Sequence, residues 1–203
     1  MALIVYGSPR SRTMRVLWMA AELGLDFQHV PLEFDDPALK RADFLRLNPA
    51  GAIPTIVDDG FPLCESLAIN LYLAKKYGSS GARPLYPGTA EGEADCWRWT
   101  LWAQGHLEPW VQQDRLLEDV IRAMGDHAHG MVSRSLSVLD RALAGSGWLV
   151  EERFTVADLN VAGVLSPSRA RHLDLTPFDN LSGWLRRCYT RPAARAARER
   201  HGH

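Results

Sequence analysis

The chain has 203 residues, 46% hydrophobic and 23% charged, enough to bury one large core or two small ones in a protein of ordinary globular composition. Lys and Arg number 23 against 24 Asp and Glu, and the net charge of −1 leaves no broad electrostatic case for nucleic acid or an anionic membrane. No run approaches the ~20 apolar residues of a membrane span, and Met1–Tyr6 is short and lacks a basic leader, so it reads as a strand and not a signal peptide.

In chain order, residues 2–6 read as a buried strand. Ser11 or Arg12 opens an amphipathic helix with Val16, Leu17, Ala20 and Leu23 on its apolar face, and Gly24 ends it. Phe27–Leu32 is a second strand. Two strands joined by a helix predict a βαβ unit with a parallel pair. Residues 35–47 hold a polar loop and a short helix. Strands near 54–57 and 60–63 form an antiparallel hairpin turned by Asp58-Asp59-Gly60, and a helix over 65–77 ends at Gly78. The order βαβ, α, ββα is thioredoxin-like.

Residues 79–88, rich in Gly, Ser and Pro, form the linker. The expected division is 1–78, an α/β thioredoxin-like domain; 79–88, the linker; and 89–203, an all-α domain. Its helices are expected over 91–124 with a bend near Pro109, 126–144, 155–165, and 178–200 as one or two more. Thr155 and Asp158 have capping-box spacing, with Phe154 placed to start a hydrophobic staple. An alanine at Thr155 or Asp158 is expected to cost about 0.5–2 kcal/mol. The basic tail 191–200 reads as a solvated helix face.

Cys64, Cys96 and Cys188 are odd in number and form no CxxC pair, which excludes a disulfide framework and points to a reducing cytosol. His127 and His129 lack a third ligand at zinc spacing, so no metal is expected.

Gly51-Ala52-Ile53-Pro54 leads into the hairpin, and Cys64-Glu65-Ser66 leads out of it into a helix. A cis Ile53–Pro54 bond would turn the Ile53 N–H and C=O outward, free to pair with an extended peptide. Free N–H groups and the helix dipole suit a carboxylate at Ser66, and Glu65 suits an ammonium. On local grounds the same residues also fit a buried hairpin with Ser66 as a helix cap.

Three stretches decide between these readings. They are Asn48–Pro54 with Glu65-Ser66-Leu67-Ala68-Ile69, Leu3–Ser11 with Arg15-Val16-Leu17, and Phe154–Asp158. In order and spacing they resemble the cytosolic glutathione S-transferase (GST) family, of a bacterial type with a serine active site, over nearly the whole chain. The resemblance implies glutathione as co-substrate, a small hydrophobic electrophile, a homodimer, a cytoplasmic setting, a detoxification role and no metal. It implies that Ile53 and Pro54 hold the cysteinyl part of glutathione and that Glu65 and Ser66 hold the γ-glutamyl end. Lys40, beside Arg41, approaches the glycine carboxylate.

The thiolate must be stabilised, because a free thiol near pKa 8.5 is only a few per cent ionised at pH 7. Ser11, at the strand–helix junction after Pro9, resembles the family's catalytic serine, with Arg12 as an aid. Thr13 and Ser8 are neighbouring alternatives, and Tyr6 is expected to pack. The run Arg10-Ser11-Arg12-Thr13 departs from the Ser-Ser-Cys of the isomerase-type class. Trp99, Trp102, His106 and Trp110, at spacings of three and four, share a helical face. His106 and Trp110 are candidates for an electrophile wall between the domains; core or dimer contact is the alternative. The rival functions are peroxidase, dehalogenase or isomerase chemistry on the same site, or a non-catalytic binding protein of this fold.

Overall fold

Alternating burial along Leu3–Tyr6 makes β1: Leu3 and Val5 lie in the core, while Ile4 and Tyr6 are half-buried. These coordinates are a computed structural model that describes residues 2–81, 84–111, 126–166 and 173–200, without the side chains of 126–129. Thr13–Leu23 forms α1, closed by Gly24 at φ +61°, a left-handed position that favours glycine. Phe27–Val30 is β2, paired parallel to β1 with Leu3 opposite Phe27. A 3-10 turn over Pro37–Lys40 and helix α2, Ala42–Leu47, lead to the hairpin of β3, Thr55–Asp58, and β4, Phe61–Cys64. The sheet order is β2-β1-β3-β4, with β3 antiparallel to both neighbours. Helix α3, Ser66–Tyr77, packs beside α1. The expected thioredoxin-like order is therefore present, and Tyr6 packs edge-on against Phe44 with ring centres 5.7 Å apart.

A buried carboxylate pins α3 to the sheet. Asp58 accepts from Tyr72 and Lys76 at 2.8 Å each and from Tyr77 at 2.8 and 2.9 Å. Burial pushes this carboxyl up, but the donors outweigh it and hold it below its ordinary value.

Contacts group Met1–Tyr86 with Thr190–His203 as one unit and Pro87–Tyr189 as another. The expected all-helical part ran to the C-terminus. Instead Pro192–Arg200, helix α9, packs on α1 in the first unit. Glu22, at the end of α1, receives Arg191 through both oxygens at 2.6 and 2.7 Å. Ala194 and Ala197, buried on the inner face, bring the helix close. The basic tail is thus a packed element with an exposed face.

The second unit holds α4, Ala90–Trp102, capped by Thr89, whose hydroxyl accepts from Gly92 N–H at 3.0 Å. A π-turn over Ala103–Leu107 follows, then the short α5, Glu108–Val111. Asp126–Leu143 is α6, Val156–Val164 is α7 and Asp179–Tyr189 is α8. The stretch of the expected long helix beyond Val111, and the His127 and His129 side chains, lie outside the described residues. Thr155 and Asp158 form the predicted capping box, and Phe154 meets Trp148 edge-on. Asp158 also accepts from the Leu149 N–H at 3.1 Å and from the fully buried Trp184 indole at 2.8 Å. Among the described residues, no helix is long and apolar enough to cross a membrane.

Candidate active site

The junction between β1 and α1 is built on hydroxyls. Ser8, Ser11 and Thr13 are 1%, 4% and 0% exposed. Ser11 Oγ donates to the Ser8 carbonyl at 2.7 Å, and that carbonyl also accepts from the Ser11 N–H at 3.0 Å. Ser11 Oγ accepts from the Thr13 N–H at 3.0 Å and lies 2.7 Å from Thr13 Oγ1. A carbonyl can only accept, so the single Ser11 proton goes to Ser8. Thr13 then supplies the proton between the two hydroxyls. Arg12 sits half-buried at the cap position of α1.

Gly7 lets a second loop reach this junction. It has φ +131°, and a Cβ there would overlap Thr13 Oγ1 and lie 2.9 Å from Ile53 Cβ. His29 Nε2 bonds the Gly7 carbonyl at 2.8 Å. The Ile53–Pro54 bond is cis. Among the described residues, the Ile53 N–H and C=O make no hydrogen bond. The loop around them is nonetheless fixed. Buried Asn48 gives its Nδ2 to Ala52 O at 2.9 Å and to Thr55 Oγ1 at 3.0 Å, and its Oδ1 takes the Ala50 N–H at 3.0 Å. Lys40, exposed, reaches the Gly51 carbonyl at 3.5 Å.

The third part is the head of α3. Glu65 is exposed at φ +70°, a conformation that costs a non-glycine residue about 1–3 kcal/mol. Ser66 opens the helix in place of capping it, and its buried hydroxyl accepts from Arg15 at 3.3 Å. No acidic side chain occupies the first turn of α3, whose positive dipole end lies beside Ser66.

Gly7 thus brings Ile53, with Pro54 after it, up to Thr13, the partner of Ser11; Lys40 reaches the same loop from the 3-10 turn, and Glu65 and Ser66 follow β4. Asn48, Gly7 and Arg15 stood in the sequence only as members of the matched stretches, with no role assigned to any of them. The signal for Arg15 was a charge at the head of the buried run Arg15–Ala20.

Trp99 and Trp102 lie on α4, His106 in the π-turn and Trp110 on α5. Pro109 has no N–H to give to Gly105, which accounts for a break just ahead of it. Trp99 is buried, Trp102 and Trp110 are half-buried and His106 is exposed, its carbonyl accepting from Ser135 at 3.1 Å. Cys96 is buried, and desolvation pushes its thiol up to about 11. No cluster of three or more His, Cys, Asp or Glu fit to hold a metal occurs among the described residues.

The first unit is a mixed four-stranded sheet with a cis-proline loop beside the head of α3, and the second is helical, the two-part layout of a thioredoxin-like domain followed by an all-α one. Residues 1–75 match the family model described as glutathione S-transferase, N-terminal domain, and residues 115–192 match glutathione S-transferase, C-terminal domain. Glutathione S-transferase 3 of Zea mays is 36% identical over 177 residues, covering 82% of this chain and 78% of that protein. Glutathione S-transferase D7 of Drosophila melanogaster is 30% identical over 184 residues, covering 90% and 82%. Among solved structures, glutathione S-transferase III in apo form aligns at TM-score 0.82 with 32% identity, covering 100% of this chain and 98% of that one. A Nilaparvata lugens delta-class glutathione transferase aligns at 0.83 with 26% identity, covering 98% and 94%. The chain belongs to the glutathione S-transferase family, and glutathione transferase activity is the function that membership supports.

Proposed function

We propose that this protein conjugates glutathione to a small hydrophobic electrophile, using the constellation around Gly7. The observation that carries the reading is the Ile53 backbone. Its two polar groups bond to nothing among the described residues, in a loop that Asn48 braces, and so suit an extended peptide. Ile53 and Pro54 take the cysteinyl part, Ser66 and the α3 dipole the γ-glutamyl carboxylate, Glu65 the ammonium and Lys40 the glycine carboxylate. The left-handed backbone at Glu65 supports its role, since such strain collects at ligand clamps.

Ser11 donates to the thiolate and Arg12 adds positive charge. Thr13, wholly buried, is a poorer candidate for direct contact. The thiol proton leaves to solvent. The sulfur then forms a bond to the electrophilic carbon while the leaving group departs with its electron pair. In this reading His106 and Trp110 contact the electrophile, residues 1–78 carry the glutathione site, and the enzyme is a cytoplasmic homodimer with a serine-type site.

The test is a calorimetric titration of glutathione with thiolate absorbance followed from pH 5 to 9. Binding with a thiol pKa below its free value is expected. Binding with an unshifted pKa would favour a binding role, and no binding at millimolar glutathione would overturn the assignment.

A further inference from the structure

The Ser11 hydroxyl is already committed before any ligand arrives. Its proton goes to the Ser8 carbonyl, and its lone pairs take the Thr13 N–H and the Thr13 hydroxyl. A thiolate therefore competes with Ser8 for one proton. Two features make that exchange easy. The Ser8 carbonyl keeps the Ser11 N–H at 3.0 Å when the hydroxyl turns away, so no buried acceptor is orphaned. A small turn about the Cβ–Oγ bond re-aims the proton from Ser8 toward the sulfur while both lone pairs keep their Thr13 donors. Those donors also polarise the Ser11 O–H, as chains of hydrogen bonds do in a low dielectric.

The geometry points to Thr13 as the positioning residue for thiolate stabilisation. Its hydroxyl, 0% exposed and backed by Gly7, holds Ser11 Oγ and strengthens it as a donor without touching glutathione. Thr13 also has to rotate so that Oγ1 faces Ser11, and Gly7 gives it the room: a Cβ at that position would occupy the place of Oγ1. This rests on the reading of Ser11 as the thiolate donor, so the experiment separates the two.

The measurement is the pKa of the bound glutathione thiol, by thiolate absorbance, together with the pH profile of kcat/KM. It uses wild type, Thr13→Val, Thr13→Ser, Ser11→Ala and Ser11→Ala/Thr13→Val. Val keeps the shape of Thr and removes the hydroxyl. Losing one hydrogen bond of ordinary net strength corresponds to about fivefold less thiolate at a pH below the thiol pKa. Thr13→Val should show that loss, Thr13→Ser should recover it, and Thr13→Val should add nothing once Ser11 is alanine. If Thr13→Val keeps the wild-type thiol pKa, or only lowers thermal stability, the role of Thr13 is overturned while Ser11 stands. If Thr13→Ser is as impaired as Thr13→Val, the hydroxyl is not the cause and the inference fails. If wild type leaves the thiol pKa at its free value, the reading of Ser11 fails first and takes Thr13 with it.

Discussion

Replacing Asp158 with alanine tests how much of the helical unit hangs on one carboxylate. The side chain is buried and accepts from four donors: the Leu149 N–H, the Thr155 N–H, the Thr155 hydroxyl and the Trp184 indole. The threonine hydroxyl can turn elsewhere, but the other three donors would be left in the core. Each costs about 1–3 kcal/mol unsatisfied, and partial relaxation brings the sum to about 3–5 kcal/mol. That exceeds the cap value of about 0.5–2 kcal/mol expected from the Thr155–Asp158 spacing alone. For a unit near one hundred residues, about 4 °C or more is lost per kcal/mol, so Asp158→Ala should lower the melting temperature by about 12 °C or more. Asp158→Asn should fall between, since its oxygen can serve two donors while its NH2 faces the others. Circular dichroism melts at pH 7.5 measure this directly. A drop for Asp158→Ala of no more than about 4 °C, near 1 kcal/mol, would refute the claim that the carboxylate organises this core.

Burial raises the Asp158 carboxyl to about 6 against the donors that lower it. The folded protein therefore holds a proton that the unfolded chain releases near pH 4. This group's contribution to stability is full below about pH 4 and is lost as pH rises through about 6. Comparing denaturant unfolding of wild type and Asp158→Asn from pH 4 to 7 should show that slope in wild type alone. Ser11→Ala should lower kcat/KM by about tenfold or more; a loss under about threefold would remove Ser11 from the thiolate. Asn48→Ala removes three hydrogen bonds around the Ile53 loop, so it should raise KM for glutathione more than it lowers kcat and cost about 2–3 kcal/mol in a urea melt. An unchanged KM would mean the loop does not need that brace. Gly7→Ala should abolish glutathione binding in a calorimetric titration, because its Cβ would displace Thr13 and Ile53 together.

The sequence by itself determined the local elements and marked the candidate site residues. Helical and alternating periodicities placed β1, α1, β2, β3, β4 and α3 to within a residue or two, because each buries one face and turn residues bound it. Pro54, Glu65 and Ser66 were legible for the same reason: a proline, a charge and a hydroxyl at strand and helix boundaries carry their chemistry in their position. Tertiary structure decided what depends on residues distant in the chain. It joined Asp158 to Trp184 and Leu149, turning a cap into a core hub. It drew Gly7, Thr13 and Ile53 to one point, and set Asn48 under the loop. It brought Pro192–Arg200 back to α1 through Glu22 and Arg191, 169 residues apart. It also set a π-turn over Ala103–Leu107, ahead of Pro109, where a regular helix was expected. Local pattern reports which face of a segment is apolar, but a buried polar group is satisfied by whatever partner the folded chain brings, and that partner has no fixed spacing.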